Sequence, residues 1–326
     1  MAEEEITVRG VIKGCCGDAH VARAMLEGGV SGLADSRLDN LRRLREVFPQ
    51  VELTMLRPAM GWELPELVEL VDTFLVSSRE ALVGLAEAAG KRGLQRRVIL
   101  MVETGGEREG IPREEFAACA GLCRELEGVE LVGVGTHTSC KGENPSLRNT
   151  YWLVQLALEN RALFPGGFPI ISAGNSALWE RAVSGDLPRE VNELRIGEAI
   201  LLGRETTKGE AVEGCRQGTF LLQGEIVEVK GLRGEGGKKE EGLLVSLGRL
   251  DIGGGNLHPL DRGLEVKEYY SDLCMVRNKE GEGRYRKGGM LLFSPDYLAL
   301  VGAMNSPHVR KTYMRGGQEI SPGMGD

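Results

Sequence analysis

ITVRGVIK (residues 6–13), DAHVARAMLEGG (18–29) and GLADSR (32–37) follow one another with almost no spacer, and their textures alternate. The first is a short apolar, β-branched run of strand character. In the second, Asp18 stands where a helix N-cap is wanted, Val21, Ala24 and Met25 share a helical face, and Gly28 and Gly29 end the pattern. The third returns to a short strand. Reading outward, the alternation repeats. Further strand-like runs occur at 51–56 (VELTML), 73–78 (TFLVSS), 97–104 (RVILMVET), 131–138 (LVGVGTHT), 169–175 (PIISAGN) and 193–200 (ELRIGEAI). Helical stretches lie between them. LDNLRRLREVF (38–48) carries Leu38, Leu41, Leu44 and Phe48 on one stripe, and another helix opens with Ser77 three residues before Glu80, the spacing of a capping box. Eight βα steps in about 200 residues, with no room for a hairpin meander, favour an α/β fold of the closed (β/α)8 TIM-barrel kind over an open doubly wound sheet. Both place active residues at the C-terminal ends of the strands.

After about residue 205 the texture changes. TFLLQGEIVEVK (219–230), GLLVSLGRL (242–250), GLEVKEYYSDLCMV (263–276) and GGMLLFSPDYLALV (288–301) are alternating runs between turn residues, as in a smaller, mostly antiparallel β domain. The expected division is therefore a barrel over 1–205 and a β domain over 206–326. GLRGEGGKKEEG (231–242) reads as an exposed hairpin tip, DIGGGN (251–256) as a loop with no helix behind it to cradle phosphate, and the polar tail from Arg315 as frayed.

The 326 residues carry 40 Lys and Arg against 48 Asp and Glu, a net charge of -8, which disfavours a nucleic-acid partner. A hydrophobic share of 41% suffices for a real core. No run approaches the length of a membrane span, and the acidic start MAEEEITVRG is unlike a secretory signal, so no membrane partner and a cytoplasmic location are expected. Seven scattered cysteines form no disulfide framework. Cys119 and Cys123 lie one helical turn apart, but no second Cys or His pair is near, and no metal is expected.

Three features carry chemistry. Lys13 ends the first strand before Gly14, where its amine emerges at the barrel mouth; a half-buried lysine has a lowered pKa and can condense with an aldehyde, though a solvated strand end reads the same. Ser172-Ala173-Gly174-Asn175-Ser176 enters a helix, as either a phosphate cradle or an ordinary N-cap turn. Arg195, on the eighth strand, wants an acceptor inside the barrel and could equally sit in a salt bridge.

Together with VIKGCCGD (11–18), VARAMLEGGVSGLADSRLDNL (21–41), MVETGGEREGI (101–111), LVGVGTHTSC (131–140), SAGNS (172–176) and LRIGEAILLGRET (194–206), these positions are similar to the fold-type III pyridoxal-phosphate enzymes of the alanine racemase superfamily. The resemblance is closest to the ornithine and lysine racemase branch and runs from about Val11 to Arg310. It implies a cofactor-binding (β/α)8 barrel, a C-terminal β domain, pyridoxal 5'-phosphate as cofactor, a homodimer, and racemisation of a basic amino acid such as ornithine or lysine.

Residue by residue, the resemblance makes Lys13 the Schiff-base lysine and His137 the group stacked on the cofactor ring. Arg108 approaches the ring hydroxyl. Ser176, with the backbone N–H groups of Gly197 and Glu198, holds the phosphate, and Arg195 faces the pyridine nitrogen. A guanidinium does not readily give up its proton, so the ring nitrogen stays unprotonated and the α-carbanion returns its proton to either face. Lys13 serves one face. The Tyr that alanine racemase offers the other has no counterpart in the matching turn Gly248-Arg249-Leu250-Asp251; Arg249 is a poor base, and Cys16, Cys140 and Tyr270 are alternatives. Asp272 aligns loosely with a carboxylate-supporting Asp, and Glu103, Glu107, Glu143 or Asp272 could meet a distal ammonium. The resemblance also implies about one more strand and helix ahead of Lys13, and a longer loop after residue 230. Two competing readings are a non-catalytic cofactor-binding protein, whose relatives lack the β domain, and a D-threonine aldolase type lyase, which needs a metal site that His258 and Cys274 do not supply.

Overall fold

A computed structural model describes residues 6–105, 108–137, 145–164, 169–206, 209–233, 239–281 and 283–320. Two compact units emerge. One holds the chain up to Lys13 and Gly17–Cys215; the other holds Gly14–Cys16 and the chain from Arg216 onward.

The first unit is a closed barrel of eight strands in the order β1 to β8. In chain order these are β1 (Thr7–Val11), β2 (Gly32–Asp35), β3 (Leu53–Met55), β4 (Thr73–Val76), β5 (Arg96–Met101), β6 (Val129–Gly135), β7 (Ile170–Ser172) and β8 (Glu193–Ile196). The helices that follow each strand are α1 (Ala19–Glu27), α2 (Leu38–Val47), α3 (Leu64–Leu70), α4 (Arg79–Gly90), α5 (Phe116–Glu125), α6 (Pro145–Glu159), α7 (Trp179–Val183) and α8 (Glu198–Leu202). Every neighbouring pair is parallel, and β1 closes on β8 with Thr7 opposite Glu193 and Arg9 opposite Arg195. The alternation of strand and helix is thus a (β/α)8 barrel, and among the described residues it closes with the strand before Lys13 as β1.

Alternation along each strand explains the two layers. Val11, Ala34, Leu56, Leu75, Ile99 and Met101 form one buried cluster with Val132 and Ile170, the apolar filling of the barrel. The opposite faces meet the helices: Leu41 and Leu44 of α2, Leu82 and Leu85 of α4 and Phe116 of α5 are buried. Each such side chain contributes about 1.5–3 kcal/mol by leaving water.

Asp18 caps α1, its carboxylate accepting from the N–H groups of His20 and Val21 at 3.0 Å. The cap of α4 is Ser78, not Ser77: its hydroxyl accepts from Ala81 N at 3.1 Å, so the capping position lies one residue later than the Ser-x-x-Glu spacing suggests. The eighth strand is also shorter than 193–200. It stops at Ile196 because Gly197 N-caps α8 and Leu201 N donates to its carbonyl.

The second unit is a six-stranded antiparallel sheet in the order β11-β14-β9-β10-β13-β12. Its strands are β9 (Leu222–Arg233), β10 (Lys239–Val245), β11 (Leu257–Pro259), β12 (Leu264–Tyr269), β13 (Cys274–Asn278) and β14 (Met290–Pro295), with the short helix α9 (Arg249–Ile252) in the chain between β10 and β11. Residues 297–301, read above as part of a β run, belong to the helix α10 (Tyr297–Asn305). Asp296 nucleates it by accepting from Ala299 N at 2.8 Å, and Ala299 and Ala303 join the core of Leu222, Ile226, Leu243, Val276 and Phe293. The tail is not frayed from Arg315: β15 (Tyr313–Arg315) and β16 (Gln318–Ile320) pair antiparallel. Gly316 and Gly317 have φ of 59° and 85°, the positive values that a two-residue hairpin turn demands. Residues 321–326, and 234–238 of the hairpin tip, lie outside the described residues. No helix among the described residues is long and apolar enough to cross a membrane.

Candidate active site

The chemistry-bearing side chains of the first unit gather where strands β1, β2, β5, β6, β7 and β8 end. Lys13 follows β1 in a single 3-10 turn. By area it is exposed, and it makes no hydrogen bond or ion pair with the described residues. Its amine is held below the usual lysine range, first by partial desolvation among the surrounding loops and then by the positive field of Arg108 and Arg195; Asp35 and Glu109 pull the other way. A lysine so placed loses its proton more easily than a solvated one, the condition for a nucleophilic amine.

Asp35 ends β2 and is fully buried. Burial pushes its carboxyl up to about 6, against the hydrogen bonds from Asn40, Arg37 and Ser36 and the charge of Lys13. Asn40 Nδ2 reaches both carboxylate oxygens at 3.1 Å. Gly17, in the turn behind Lys13, has φ +62°, and an added Cβ would stand 2.7 Å from Asn40 Cβ. That glycine lets the Lys13 turn approach the helix that fixes Asp35.

His137 follows β6. Its Nε2 is buried with no hydrogen-bond partner among the described residues; Glu109 Oε1 lies 2.9 Å away but out of line. Burial, then Arg195 and Arg108, drive the imidazole down to about 4, so it is neutral at ordinary pH. Glu109 also accepts from Arg108 Nη2 at 3.0 Å. Burial acts to raise its pKa, yet its backbone hydrogen bond, His137 and Arg108 leave it lowered. Arg108 N in turn donates to Glu103 Oε2 at 3.1 Å.

Arg195 is buried inside the barrel on β8. Its Nη1 donates to Ser172 O at 3.1 Å and to Ser172 Oγ, and its Nη2 to Thr136 O at 2.6 Å. Burial lowers it to about 10, with Glu193 opposing. A guanidinium has five donor hydrogens, so these three bonds leave donor capacity for a ligand. Ser176, capped in by Asn175, accepts at Oγ from Gly197 N at 3.3 Å and Ala199 N at 3.2 Å, which ties the β7 loop to the start of α8. An added Cβ on Gly197 would meet Val11 at 3.1 Å.

The structure therefore brings Lys13, Arg108, His137 and Arg195 into one another's fields, and joins Ser176 to Gly197 beside Glu198. Arg249, Tyr270 and Asp272 belong to the second unit. There Arg249 stacks on Tyr269 at 4.1 Å and donates to Gly253 O and Gly255 O, and the Tyr270 hydroxyl donates to Glu268 at 2.8 Å. Cys16 is the non-glycine residue with positive φ, 55°, among the described residues. Cys140, Glu107 and Glu143 lie outside the described residues. Cys119 and Cys123 face the core, and burial pushes the Cys123 thiol up to about 12. Among the described residues no group of three or more His, Cys, Asp or Glu is arranged to hold a metal ion. Asp35, Glu109, Thr136 and Ser172 were not singled out individually by sequence reasoning. Asp35, Thr136 and Ser172 share a signal of position, each standing at or one residue beyond a strand's C-terminal end, while Glu109 lies well along the loop that follows β5.

Residues 1–205 match the family described as Alanine racemase, N-terminal domain. The chain is 31% identical to the lysine racemase of Thermotoga maritima over 94% of its own length and 91% of that protein's. It is 30% identical to the ornithine racemase of Acetoanaerobium sticklandii, covering 92% and 90%. Its fold is like that of an alanine racemase from Clostridium difficile solved in complex with cycloserine, with a TM-score of 0.76, 18% identity, and coverage of 98% of this chain and 91% of that one. By the family match across the barrel and these relatives across nearly the whole length, the chain belongs to the alanine racemase N-terminal domain family.

Proposed function

We propose that this protein is a pyridoxal-phosphate-dependent racemase of a basic amino acid such as lysine or ornithine. The observation that carries the reading is Lys13: an amine at the barrel mouth, held below its usual pKa, with no hydrogen-bond or ion-pair partner among the described residues and with Arg195, Arg108 and the neutral His137 around it. The residues fit the cofactor. The buried, orphaned His137 Nε2 and the spare donors of Arg195 are what an aromatic, anionic ligand would satisfy.

In this reading Lys13 would hold the cofactor through its aldehyde group, with His137 against its ring and Arg108 near its hydroxyl. Ser176, with the backbone N–H groups of Gly197 and Glu198, would hold the phosphate. Arg195 would serve the pyridine nitrogen. When bound, pyridoxal phosphate supplies the electron sink that makes the substrate's α-proton acidic. Lys13 Nζ, with its lowered pKa, takes and returns that proton on one face. Arg195 keeps its own proton even where burial lowers it to about 10, so it does not protonate the ring at neutral pH. Neutral His137 adds no positive charge beside the ring. The antiparallel sheet of the second unit speaks against the non-catalytic binding proteins on this barrel, which end without one.

The test is to purify the chain with added pyridoxal phosphate, record the visible absorption band, and assay L-lysine, L-ornithine and L-alanine by chiral separation. The expected result is a band, inversion of a basic amino acid in preference to alanine, and loss of both in Lys13→Ala. A band that survives in Lys13→Ala removes the site assignment, and a band with no inversion of any amino acid removes the activity.

A further inference from the structure

Inside the barrel a polar thread passes beside the apolar filling on the β7, β8 and β1 side. Glu193 and Arg195, two residues apart, project from the same face of β8, and Ser172 of β7 is the register partner of Glu193. Ser172 Oγ lies 2.6 Å from Glu193 Oε1. A carboxylate only accepts, so the single hydroxyl proton is committed to Glu193, and the lone pairs of Ser172 Oγ are left for Arg195 Nη1. The second oxygen of Glu193 is taken by Arg9 Nε at 2.9 Å. Its carboxylate therefore cannot swing away. Ser172, Glu193, Arg9 and Arg195 are all buried, with between 0% and 6% of their surface exposed, so each bond acts where water cannot compete.

We infer that Glu193, acting through Ser172, is a positioning residue for Arg195: the fixed hydroxyl sets the plane and the charge of the guanidinium. This rests on the racemase reading above and adds to it two residues to which that reading gives no role. The remaining bonds to Arg195 come from two backbone carbonyls, which orient it but bring no negative charge. Glu193 is the acidic group that opposes the effect of burial on Arg195. A guanidinium so supported holds its proton more firmly and leaves the ring nitrogen it faces unprotonated. The competing role, in which Glu193 merely neutralises Arg9, makes a different prediction for Ser172→Ala, which leaves the Arg9–Glu193 pair intact.

The experiment compares wild type, Ser172→Ala, Ser172→Thr, Glu193→Gln and the Ala/Gln double variant. Each is loaded with pyridoxal phosphate and followed by the pH profile of its visible band and by kcat and KM for L-lysine. Ser172→Ala and Glu193→Gln are expected to move the alkaline transition of the band to lower pH and to lower kcat by about tenfold with KM within about twofold, the loss of one charge-assisted hydrogen bond. The double variant should be no worse than the more affected single one, and Ser172→Thr, which keeps the hydroxyl, should restore the profile. If Glu193→Gln does not fold, Ser172→Ala decides alone. A folded Ser172→Ala with the wild-type band profile and kcat overturns the inference. A wild type without a band overturns the racemase reading, and the inference falls with it. A wild type with a band but no inversion overturns the activity only, and the band profiles still decide whether Glu193 positions Arg195.

Discussion

The two ends of the barrel interior treat charge in opposite ways. Toward the N-terminal ends of the strands, Arg9 pairs with Glu193 at 2.9 Å and Glu52 at 2.7 Å, Arg97 pairs with Glu52, and the Thr73 hydroxyl completes the cluster. Plus and minus alternate and are matched. At the other end Lys13, Arg108 and Arg195 meet the neutral His137, with Glu109 and Asp35 as the opposing acids. The first arrangement sets each acid against a guanidinium, with Arg9 Nη1 left without a hydrogen-bond partner and one contact passing on from Glu193 to Ser172. The second leaves an amine and an imidazole nitrogen without hydrogen-bond partners among the described residues. Since both ends belong to the same strands, Arg9 and Lys13 being four residues apart, the difference lies in the balance of charge: acids match guanidinium groups at one end, while cations outnumber acids at the other, where the proposed ligand would bind.

The largest effect should come from breaking the matched end. Arg9→Ala strands Glu193 and removes one of the partners of Glu52, with Arg9 and Glu193 themselves almost wholly buried. Leaving a buried charge unpaired costs about 3–5 kcal/mol. Urea unfolding monitored by circular dichroism measures it. A loss within experimental error would show that the cluster is solvated and the contrast between the ends is false.

A smaller effect separates two groups of the open end by pH. His137 titrates at about 4 in the fold against 6.5 in the unfolded chain, so the folded state binds fewer protons between those values. Its contribution to stability is fully present above 6.5 and is lost as pH falls toward 4. Asp35 titrates at about 6 against 3.8. Its contribution is fully present below 3.8 and is lost as pH rises through 6. The two oppose each other across nearly the same window. His137→Gln leaves Asp35 unopposed, so relative to wild type its urea midpoint should drift downward as pH rises across that window. Asp35→Asn leaves His137 unopposed and should drift upward. Drifts of the same sign in both variants would show that one of the two groups does not sense the burial described.

Most of the barrel was legible in the sequence because it is written locally. Each strand is a short β-rich run and each major helix carries its own stripe, as at Leu38, Leu41 and Leu44. Boundaries were less legible where one residue arbitrates, as with Ser78 over Ser77, or Gly197 ending β8. Helix α10 reads as a strand because its all-apolar run has no stripe; Asp296 was the available signal. Lys13 and Arg195 stood out by their places on the first and eighth strands, while their roles, and His137 altogether, came from motif resemblance. Glu193 opens the strand-like run 193–200 but carries no role there, because its partners are set by barrel closure: Arg9 is 184 residues away and Ser172 is 21. No window of sequence joins them, and only the register of β7, β8 and β1 does.

The smallest effects are the sharpest check on the open end. An exposed ion pair such as Arg92 with Glu69 at 2.6 Å is worth about 0.5 kcal/mol or less, because water screens the pair and two long side chains lose freedom in forming it. Arg92→Ala sets that baseline. Lys13→Ala should fall at or on the stabilising side of it. The amine has no described partner to lose, and removing it relieves the positive field that Arg108 and Arg195 share with it. A residue on which the proposed activity depends entirely would thus contribute nothing to the fold that holds it. If Lys13→Ala instead lowers the urea midpoint as far as Arg9→Ala does, then Lys13 is a structural cation like Arg9, both barrel ends are matched, and the amine is not available to an aldehyde.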